Sequence, residues 1–232
     1  MGDALVNASS NEPAFTASLR ADARLGTTSE ARGSAAGRGI GSGTNVVRKI
    51  ENPALRAGAL LLFAFRRAWL KVRYGRRLQL GPGIVFKGRL VLGRGVRVSI
   101  GANCRIGKRV LITGHGQVTV GNDTFLNGCW IGCDQKVEIG SFCLISDCDV
   151  VDTDFHNLPP RLRHEPVVAQ AVAPVHIGDN VWVGARSIVL KGVTIGDHSV
   201  VGAGTVVREN IAPRVVVAGN PAVVVKKFRD DE

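Results

Sequence analysis

Aliphatic side chains recur at every sixth position in the C-terminal part of the chain. Between residues 177 and 212, the first place of each six-residue block is Ile177, Val183, Val189, Ile195, Val201 or Val207. The second place is Gly in four of the six blocks, and the fifth is mostly a compact or β-branched residue. This period is neither that of a helix nor that of a simple strand. It predicts short strands joined by sharp corners, three to a turn, with the aliphatic residue pointing inward and stacking three blocks later.

The same register continues towards the N-terminus, less regularly, as aliphatic-Gly pairs from Leu80-Gly81 to Ile139-Gly140. Residues 157–176 then break the pattern. Without them, residues 80–225 supply about seven coils of eighteen residues. We therefore predict an all-β fold, a parallel β-helix of about seven coils over residues 80–228. A long excursion from a regular solenoid is usually functional, so residues 157–176 are expected to contribute to a site.

Two other segments precede the repeat. Residues 1–50 are rich in Ala, Ser, Gly and Thr without a hydrophobic period, which predicts a disordered tail. Asn52 and Pro53 predict the start of a helix and Gly75 its end. The uninterrupted apolar run inside it has nine residues, about half of a bilayer span. We expect residues 51–79 to form a basic amphipathic helix that lies on a membrane interface, or packs on its own domain or a neighbouring subunit.

Charge and cysteine content narrow the class of protein. The net charge is +11, and residues 51–80 contribute seven basic groups against one acidic group. Residues 81–232 carry 17 basic and 14 acidic groups, without a basic face or reading helix for nucleic acid. The odd number of cysteines, five, argues against a disulfide scaffold and favours free thiols in a reducing cytoplasm. We expect no nucleic-acid partner and a cytoplasmic location, and contact of the basic helix with the membrane face is one of the two alternatives given above.

Three features together resemble the hexapeptide-repeat acyltransferases: the repeat, the block Asp154-Phe155-His156 before the excursion, and the runs Gly202-Ala-Gly-Thr205 and Val217-Ala-Gly-Asn-Pro-Ala222. The match is to the sugar and polysaccharide O-acetyltransferase branch, which includes the maltose, galactoside and nodulation-factor enzymes. It covers residues 80–228 and implies a left-handed β-helix, a homotrimer and acetyl-CoA as donor. The implied reaction is acetylation of a hydroxyl on a sugar or polysaccharide precursor. An N-acyltransferase acting on an amino sugar and an inactive trimeric β-helix are the alternatives.

The resemblance implies that His156 is the general base. Acetyl transfer to an alcohol needs a base near neutrality, and imidazole suits that task. Asp152 and Asp154 are near enough in sequence to orient the ring. A surface histidine at a loop junction is the alternative reading.

The resemblance also implies an acceptor site. The family asparagine that precedes the catalytic histidine aligns with Asn127 once a one-residue gap is allowed. Asp134 is a further candidate for contact with a sugar hydroxyl. Both residue types also occur simply as turn residues at such corners.

The last coils are expected to hold acetyl-CoA in a groove between neighbouring β-helices. Small residues let the donor approach the backbone, and the Ala185 amide is the candidate donor to the thioester oxyanion. Glu209 and Val223 depart from the lysine and arginine of some family members. The residues that the resemblance assigns to the donor are Trp182, Gly184, Ala185, Gly202, Ala203, Arg208, Asn220, Pro221 and Lys226.

Metal binding is not expected. The trimeric gamma carbonic anhydrases bind zinc through paired histidines five residues apart, and the second position here is Arg161. The pairs Cys129/Cys133 and Cys143/Cys148 have spacings that permit a thiolate site. Cys104 and Cys143, however, occupy the compact fifth place of their blocks. We therefore expect the cysteines to be structural.

Overall fold

A computed structural model of the chain describes residues 50–229 and residue 231. The predicted tail, apart from residue 50, lies outside these residues. Within the described residues, the α-helix α1 (Pro53–Tyr74) precedes a run of short strands. In chain order the strands are β1 (Leu78–Leu80), β2 (Val85–Phe86), β3 (Arg89–Leu92), β4 (Arg97–Ile100), β5 (Arg105–Ile106), β6 (Arg109–Thr113), β7 (Gln117–Val120), β8 (Phe125–Asn127), β9 (Trp130–Gly132), β10 (Lys136–Ile139), β11 (Leu144–Ser146), β12 (Asp149–Val151), β13 (Val175–Ile177), β14 (Trp182–Val183), β15 (Ile188–Val189), β16 (Thr194–Ile195), β17 (Val200–Val201), β18 (Val206–Val207), β19 (Val215–Ala218) and β20 (Val223–Lys227).

The strands form three parallel sheets that we call face 1, face 2 and face 3. Every third strand joins the same sheet, in the order β1-β4-β7-β10-β13-β16 on face 1, β2-β5-β8-β11-β14-β17-β19-β20 on face 2, and β3-β6-β9-β12-β15-β18 on face 3. Only the last pair, β19 with β20, is antiparallel. The described chain is therefore a three-sided parallel β-helix, as predicted. It has six coils with a strand on each face, and a seventh that adds β19. The hand of the coil stays a prediction from the resemblance.

The interior of the β-helix is filled by the residues that the repeat marks as inward. The first places Ile177, Val183, Val189, Ile195, Val201 and Val207 are all fully buried. Each of these side chains stacks on its equivalent in the next coil, as the register Ile177↔Ile195 and Val183↔Val201 shows. Complete burial of one such side chain contributes about 1.5–3 kcal/mol. The hydrophobic stack inside each face is therefore the main stabilising element of the fold.

The fifth place is also buried in the first five blocks, and where it holds a hydroxyl residue it has a second role at the corner. Ser187 Oγ donates to the carbonyl of Gly202 at 2.8 Å, and Ser199 Oγ donates to that of Ala212 at 2.9 Å. Thr124 Oγ1 makes the same contact with the Gly140 carbonyl, at 2.8 Å. A buried carbonyl without a partner is costly, so these side chains satisfy corner groups that the strand ladders leave open.

The coil length differs from the eighteen residues predicted. Strand pairing sets an offset of 18 residues between β13 and β16 but 20 residues from β1 to β4 and from β4 to β7. The extra residues lie where face 3 passes to face 1, a corner formed in the first three coils by residues 93–96, 114–116 and 133–135. Glycines in these turns give the chain room to pass close to the next coil. The uniform period was therefore wrong for the N-terminal coils.

The excursion leaves from this same widened corner. It runs from residue 152 to residue 174, slightly earlier than predicted, and contains two 3₁₀ turns, Pro160–Leu162 and Ala169–Ala171. Its base is closed because Thr153 forms an antiparallel bridge with Val172. The Ala173 N–H donates to the Asp152 carbonyl across the same base, at 2.9 Å. The loop therefore leaves the column and returns to it through neighbouring positions.

Helix α1 begins and ends at the predicted residues. Asn52 Oδ1 accepts from the Ala54 and Leu55 N–H groups at 2.9 and 3.3 Å, and Gly75 ends the helix at φ +56°. Leu70 and Tyr74 are buried, and Phe63 packs against the core. No helix in the described part of the chain combines the length and apolar character that crossing a bilayer requires.

Three arginines join α1 and its C-terminal turn to the first coil. Arg66 Nη1 donates to the Phe86 carbonyl at 2.8 Å, and Arg67 Nη2 to the Leu80 carbonyl at 3.1 Å. Arg77 Nη1 donates to the carbonyls of residues 93 and 94 at 2.6 and 2.7 Å. The first coil has no preceding coil to pair with, and exposed strand edges promote unwanted association. The C-terminal half of the helix therefore packs on the first coil of its own chain and covers the open end of the column.

All five cysteines are buried thiols. Burial raises the pKa of Cys104 and Cys143 to about 11 and that of Cys129 to about 12. Desolvation likewise raises the pKa of Cys133 and Cys148 above the usual range. Cys104 Sγ and Cys143 Sγ each lie 3.1 Å from a carbonyl oxygen of the next coil, as the fifth-place hydroxyls do. The thiols are therefore core side chains in this fold.

These raised pKa values predict a loss of stability at alkaline pH. The thiols stay protonated in the folded chain but ionise near pH 9 once unfolded, so the free energy of unfolding falls as pH rises above about 9. Each fifth-place thiol should account for about 1–2 kcal/mol of that fall by pH 10.5. A double variant, Cys104→Val with Cys143→Val, should lose less stability over pH 8–10.5 in urea denaturation. Equal slopes for the variant and the wild type would contradict the buried-thiol assignment.

Candidate active site

His156 lies at the start of the excursion, just beyond the fourth coil. Its side chain is exposed, and no hydrogen bond to it is formed by any residue that the structure describes. The residues on both sides of it are fixed, however. Position 156 is therefore held at the backbone while the imidazole stays open to a ligand.

An aromatic pair fixes the residue before His156. The rings of Phe155 and Trp130 stack with centroids 5.6 Å apart and planes 15° apart. Trp130 is held in turn by its Nε1–H, which donates to Thr113 Oγ1 at 2.9 Å. Phe155 has a φ of +62°, and its ring lies above Gly132. Neither ring was assigned a role from the sequence, although outward aromatic residues are rare in a chain with 5% aromatic content.

Asn157 fixes the loop after His156. It is only 1% exposed. Its Nδ2 donates to the carbonyls of Leu162 and Pro166 at 2.8 and 2.9 Å and, at 3.2 Å, to that of Glu165. Its Oδ1 accepts from the Val168 N–H at 2.8 Å. This single side chain thus holds the loop in its folded shape, a role that one asparagine beside a histidine did not reveal in the sequence.

Neither of the two nearby carboxylates contacts the His156 ring. Asp152 is fully buried, and its oxygens accept from the N–H groups of residues 134, 135 and 136 at 2.8, 2.8 and 2.7 Å. Asp154 Oδ2 pairs with Lys191 Nζ at 2.9 Å. Asp152 therefore does not orient the His156 ring, as its position in the sequence had suggested. Its carboxylate closes the corner of the coil beneath the loop.

Asp134 lies at that corner, one coil below the loop base. Its Oδ1 accepts from the His115 N–H at 3.1 Å and lies 3.2 Å from His115 Nδ1. None of the described residues donates to its Oδ2. The carboxylate is therefore oriented by His115 and retains one free oxygen on the same corner as the excursion.

Asn127 lies on the opposite edge of face 3, where face 2 passes to face 3. Its Oδ1 accepts from the Lys108 N–H at 2.9 Å, and its Nδ2 donates to Asp147 Oδ2 at 3.3 Å. Lys108 Nζ also pairs with Asp147, at 3.2 Å. Asn127 is thus part of a ladder that joins three successive coils. In one chain it lies across the width of face 3 from the corner that carries His156.

The same corner carries mostly small residues in the coils above Asn127. Gly184, Ala185, Gly202 and Ala203 lie there, with one large exposed side chain, Arg186, beside Ala185. The Gly204 N–H donates to the Ala185 carbonyl at 2.9 Å, and a side chain at Gly204 would meet nothing within 4 Å. The amides of Ala185 and Ala203 have no acceptor among the described residues. Unpartnered N–H groups on an open backbone suit a ligand rich in carbonyl oxygens.

The remaining residues that were predicted to bind acetyl-CoA line two separate cavities. Trp182 and Lys226 line a groove of about 710 Å³ on face 2, together with Phe142 and His198. Arg208 and Pro221 line a separate cavity of about 320 Å³ at the C-terminal end of the column. Asn220 is exposed in the turn beside Pro221. In a single chain, the residues predicted to bind acetyl-CoA therefore do not line one common pocket.

Among the described residues, no three or more His, Cys, Asp or Glu side chains are grouped so that they could hold a metal ion. Two pairs of such side chains form ion pairs, His115 with Asp134 at 3.2 Å and His176 with Glu138 at 3.5 Å. The predicted site residues offer three kinds of group to a ligand. They are the exposed imidazole of His156, the free Oδ2 of Asp134, and the unpartnered amides of Ala185 and Ala203.

Parts of the chain are similar to known proteins. The family described as the hexapeptide repeat of succinyl-transferase matches residues 97–126 and 174–209. The galactoside O-acetyltransferase of Escherichia coli is 32% identical over 133 residues, which are 57% of this chain and 64% of that protein. The galactoside O-acetyltransferase of Lactococcus lactis is 38% identical over 99 residues, 43% of this chain and 47% of that protein. The chain thus spans less than two thirds of either relative.

Solved structures show the same fold. AntD, an N-acyltransferase from Bacillus cereus crystallised with dTDP and 3-hydroxybutyryl-CoA, superposes with a TM-score of 0.59. The superposition covers 71% of this chain and 89% of AntD, at 22% sequence identity. The repeat, the three-sided column and these relatives together make the chain a hexapeptide-repeat β-helix that is similar in sequence to galactoside O-acetyltransferases.

Proposed function

We propose that the protein is an acetyl-CoA-dependent O-acetyltransferase that acts on a hydroxyl of a sugar or polysaccharide precursor. The observation that carries the proposal is an exposed His156 at the base of a loop that is rigidly held on both sides. Two sequence relatives named as galactoside O-acetyltransferases support the same reaction class. A histidine kept free of internal partners is suited to accept a proton from a bound alcohol.

The proposed reaction is a direct transfer. His156 takes the proton of the acceptor hydroxyl as its oxygen forms a bond with the thioester carbonyl carbon. The carbon–sulfur bond then breaks, and the departing CoA thiolate receives the proton from the imidazolium. The Ala185 amide is the candidate donor to the developing oxyanion.

The site is proposed to be completed by a second copy of the chain. His156 and Asp134 lie on the corner between face 3 and face 1, whereas Asn127 and Ala185 lie on the corner between face 2 and face 3. A single column keeps these corners apart. In a cyclic trimer each subunit presents one corner to the neighbour before it and another to the neighbour after it. That arrangement brings His156 of one copy towards the bare backbone of the next, with acetyl-CoA in the crevice between them.

Replacing His156 tests the role of the base. His156→Ala should lower turnover by about 10²–10⁴-fold while acetyl-CoA still binds, because the base acts on the acceptor and not on the donor. Release of the CoA thiol measures the rate, and a thermal-shift titration with acetyl-CoA measures binding. His164→Ala, in the exposed part of the loop, is the matched control. The product of the wild-type enzyme should be cleaved by hydroxylamine, because hydroxylamine cleaves oxygen esters. A product that resists hydroxylamine would be an amide and would indicate an amino-sugar acceptor. Unchanged turnover in His156→Ala would remove this residue from the role.

Mixing two inactive variants tests the shared site. His156→Ala and Asn127→Ala should each be weak alone, but trimers that contain both should recover activity at interfaces that combine the two intact residues. Random assembly makes about one quarter of the interfaces intact. Coexpression with two affinity tags allows the mixed trimers to be isolated and assayed. Recovery would not occur if both residues served a site within one chain.

We also propose that α1 rests on the cytoplasmic face of a membrane, where a polysaccharide precursor would be at hand. Large apolar residues along the helix are exposed, Phe65 at 69% and Leu61 at 71%. Basic groups accompany them, and a helix of this kind is suited to an anionic interface.

Vesicle binding tests the contact. Phe65→Gln should reduce co-sedimentation with anionic vesicles by about tenfold, the loss expected for one buried aromatic group. Phe142→Gln is the matched control, because Phe142 is 60% exposed on the solenoid. Equal binding by wild type and Phe65→Gln, with a change in oligomer mass, would instead show that a neighbouring subunit covers the helix.

A further inference from the structure

Positive charge is concentrated at one end of the column. Residues 51–109 contain 14 Lys and Arg residues and one acidic residue, Glu51. Residues 110–232 contain 10 basic and 14 acidic residues. The basic region therefore continues beyond the helix into the first two coils, and the other end of the column is weakly acidic. This polarity runs along the axis of the β-helix.

The charge at the basic end is largely unopposed. Of the 14 basic residues, only Lys108 forms an ion pair with a carboxylate in the described part of the chain, with Asp147 at 3.2 Å. Arg66, Arg67 and Arg77 use part of their donors on carbonyls of the first coil. An array of cations without carboxylate partners attracts anions from solution.

A stripe of apolar side chains lies next to these cations on α1. It is formed by residues at helical spacings of seven, three, four and three, and their exposed fractions are Leu55 66%, Leu62 50%, Phe65 69%, Trp69 51% and Val72 85%. Such spacings place side chains on one side of a helix. The packing side, with Leu70 and Tyr74, is a different one. The stripe is therefore an apolar surface separate from the contact with the column.

A cavity of about 420 Å³ lies between α1 and the first coil, beside this stripe. Three arginines line it: Arg66, Arg73 and Arg89. The Arg73 guanidinium lies 5.4 Å from the Trp69 ring centroid and 5.5 Å from that of Tyr74. Cation–π contacts of this kind hold a guanidinium in place without consuming all its N–H donors.

The three arginines keep donors for a ligand. The Nη1 group of Arg66 donates a hydrogen bond to the Phe86 carbonyl at 2.8 Å. The side chains of Arg73 and Arg89 make no hydrogen bond to another residue of the described chain. A guanidinium presents several donors in a plane and recognises phosphate oxygens in pairs.

We propose that this cavity binds the phosphate of a membrane phospholipid head group while the apolar stripe enters the lipid interface. The inference rests on the membrane contact proposed above and names the group that is recognised. Continuity of the cavity with the stripe favours a lipid phosphate over a free one, since Trp69 belongs to both. The basic end of the column then faces the membrane, and the site with His156 lies farther along the axis.

A fluorescence titration tests the cavity directly. Trp69 is one of three tryptophans, so Trp130→Phe with Trp182→Phe leaves it as the only reporter. Glycerol 3-phosphate should shift and saturate the Trp69 emission, and Arg73→Gln with Arg89→Gln should abolish the shift. Arg94→Gln with Arg97→Gln removes the same charge outside the cavity and is the matched control. Thermal melting of each variant verifies that the fold is retained.

Vesicles identify the source of the phosphate. Vesicles of equal parts phosphatidylcholine and phosphatidylglycerol should bind the wild type. The control pair should weaken binding by the general electrostatic effect, about fivefold for each cation lost. The double variant Arg73→Gln with Arg89→Gln should weaken vesicle binding at least tenfold more than the control double variant does.

Three outcomes separate the proposals. Equal losses for the two pairs, with no Trp69 response to glycerol 3-phosphate, would overturn the phosphate site and leave the membrane contact standing. A saturating response without vesicle binding would overturn the lipid assignment. Acetyl transfer to a water-soluble acceptor should be the same in both arginine pairs, so failure of the lipid site is distinguishable from failure of the proposed enzyme.

Discussion

The structure depends on the pairing of each short strand with its equivalents one coil away. Within residues 50–229 no strand is longer than five residues, so none of these strands is stable without the coils above and below it. Each face therefore combines a ladder of backbone hydrogen bonds with an inward stack of aliphatic residues such as Ile145 and Val183. The corners must then repeat in register, and this requirement places Asn127, Asp147 and Ala185 on the same edge of the column. The candidate site follows from that alignment, because residues distant in sequence share an edge of the column.

The sequence predicted the parallel solenoid because its C-terminal blocks repeat the inward residues without insertion. It did not predict the 20-residue coils nearer the N-terminus. Their extra residues are glycine-rich turns around Arg94 and His115, which disturb the period without changing which side chains point inward. The helix bounds were predictable from local chemistry, since the Asn52 cap and Gly75 act within one turn. The attachment of Arg66 and Arg67 to the first coil was not, because it depends on carbonyls that become neighbours only in the fold.

The candidate site also contains residues that the sequence could predict and residues that it could not. His156 stood out because the repeat ends beside it, and the structure finds its imidazole exposed. Phe155 and Asn157 were missed because their partners, Trp130 and the loop carbonyls, are set by tertiary contacts. Asp152 was a plausible orienting group in sequence, yet three amide donors of the preceding coil occupy its carboxylate. A single chain also shows the predicted donor residues on separate surfaces, a division that sequence spacing alone does not reveal.

The closed base of the excursion has a consequence for how this architecture diversifies. Thr153 and Val172 bridge at the point where the loop departs and returns, and Asp152 secures the layer underneath. Everything beyond this neck can change in length or composition without altering the register of the column. Asn157 organises that outer part from within, so its folding information is carried locally. The fold thus separates a regular scaffold from an appendage that joins it at a single neck, an architecture that permits a different insert, and with it a different selectivity, on an unchanged column.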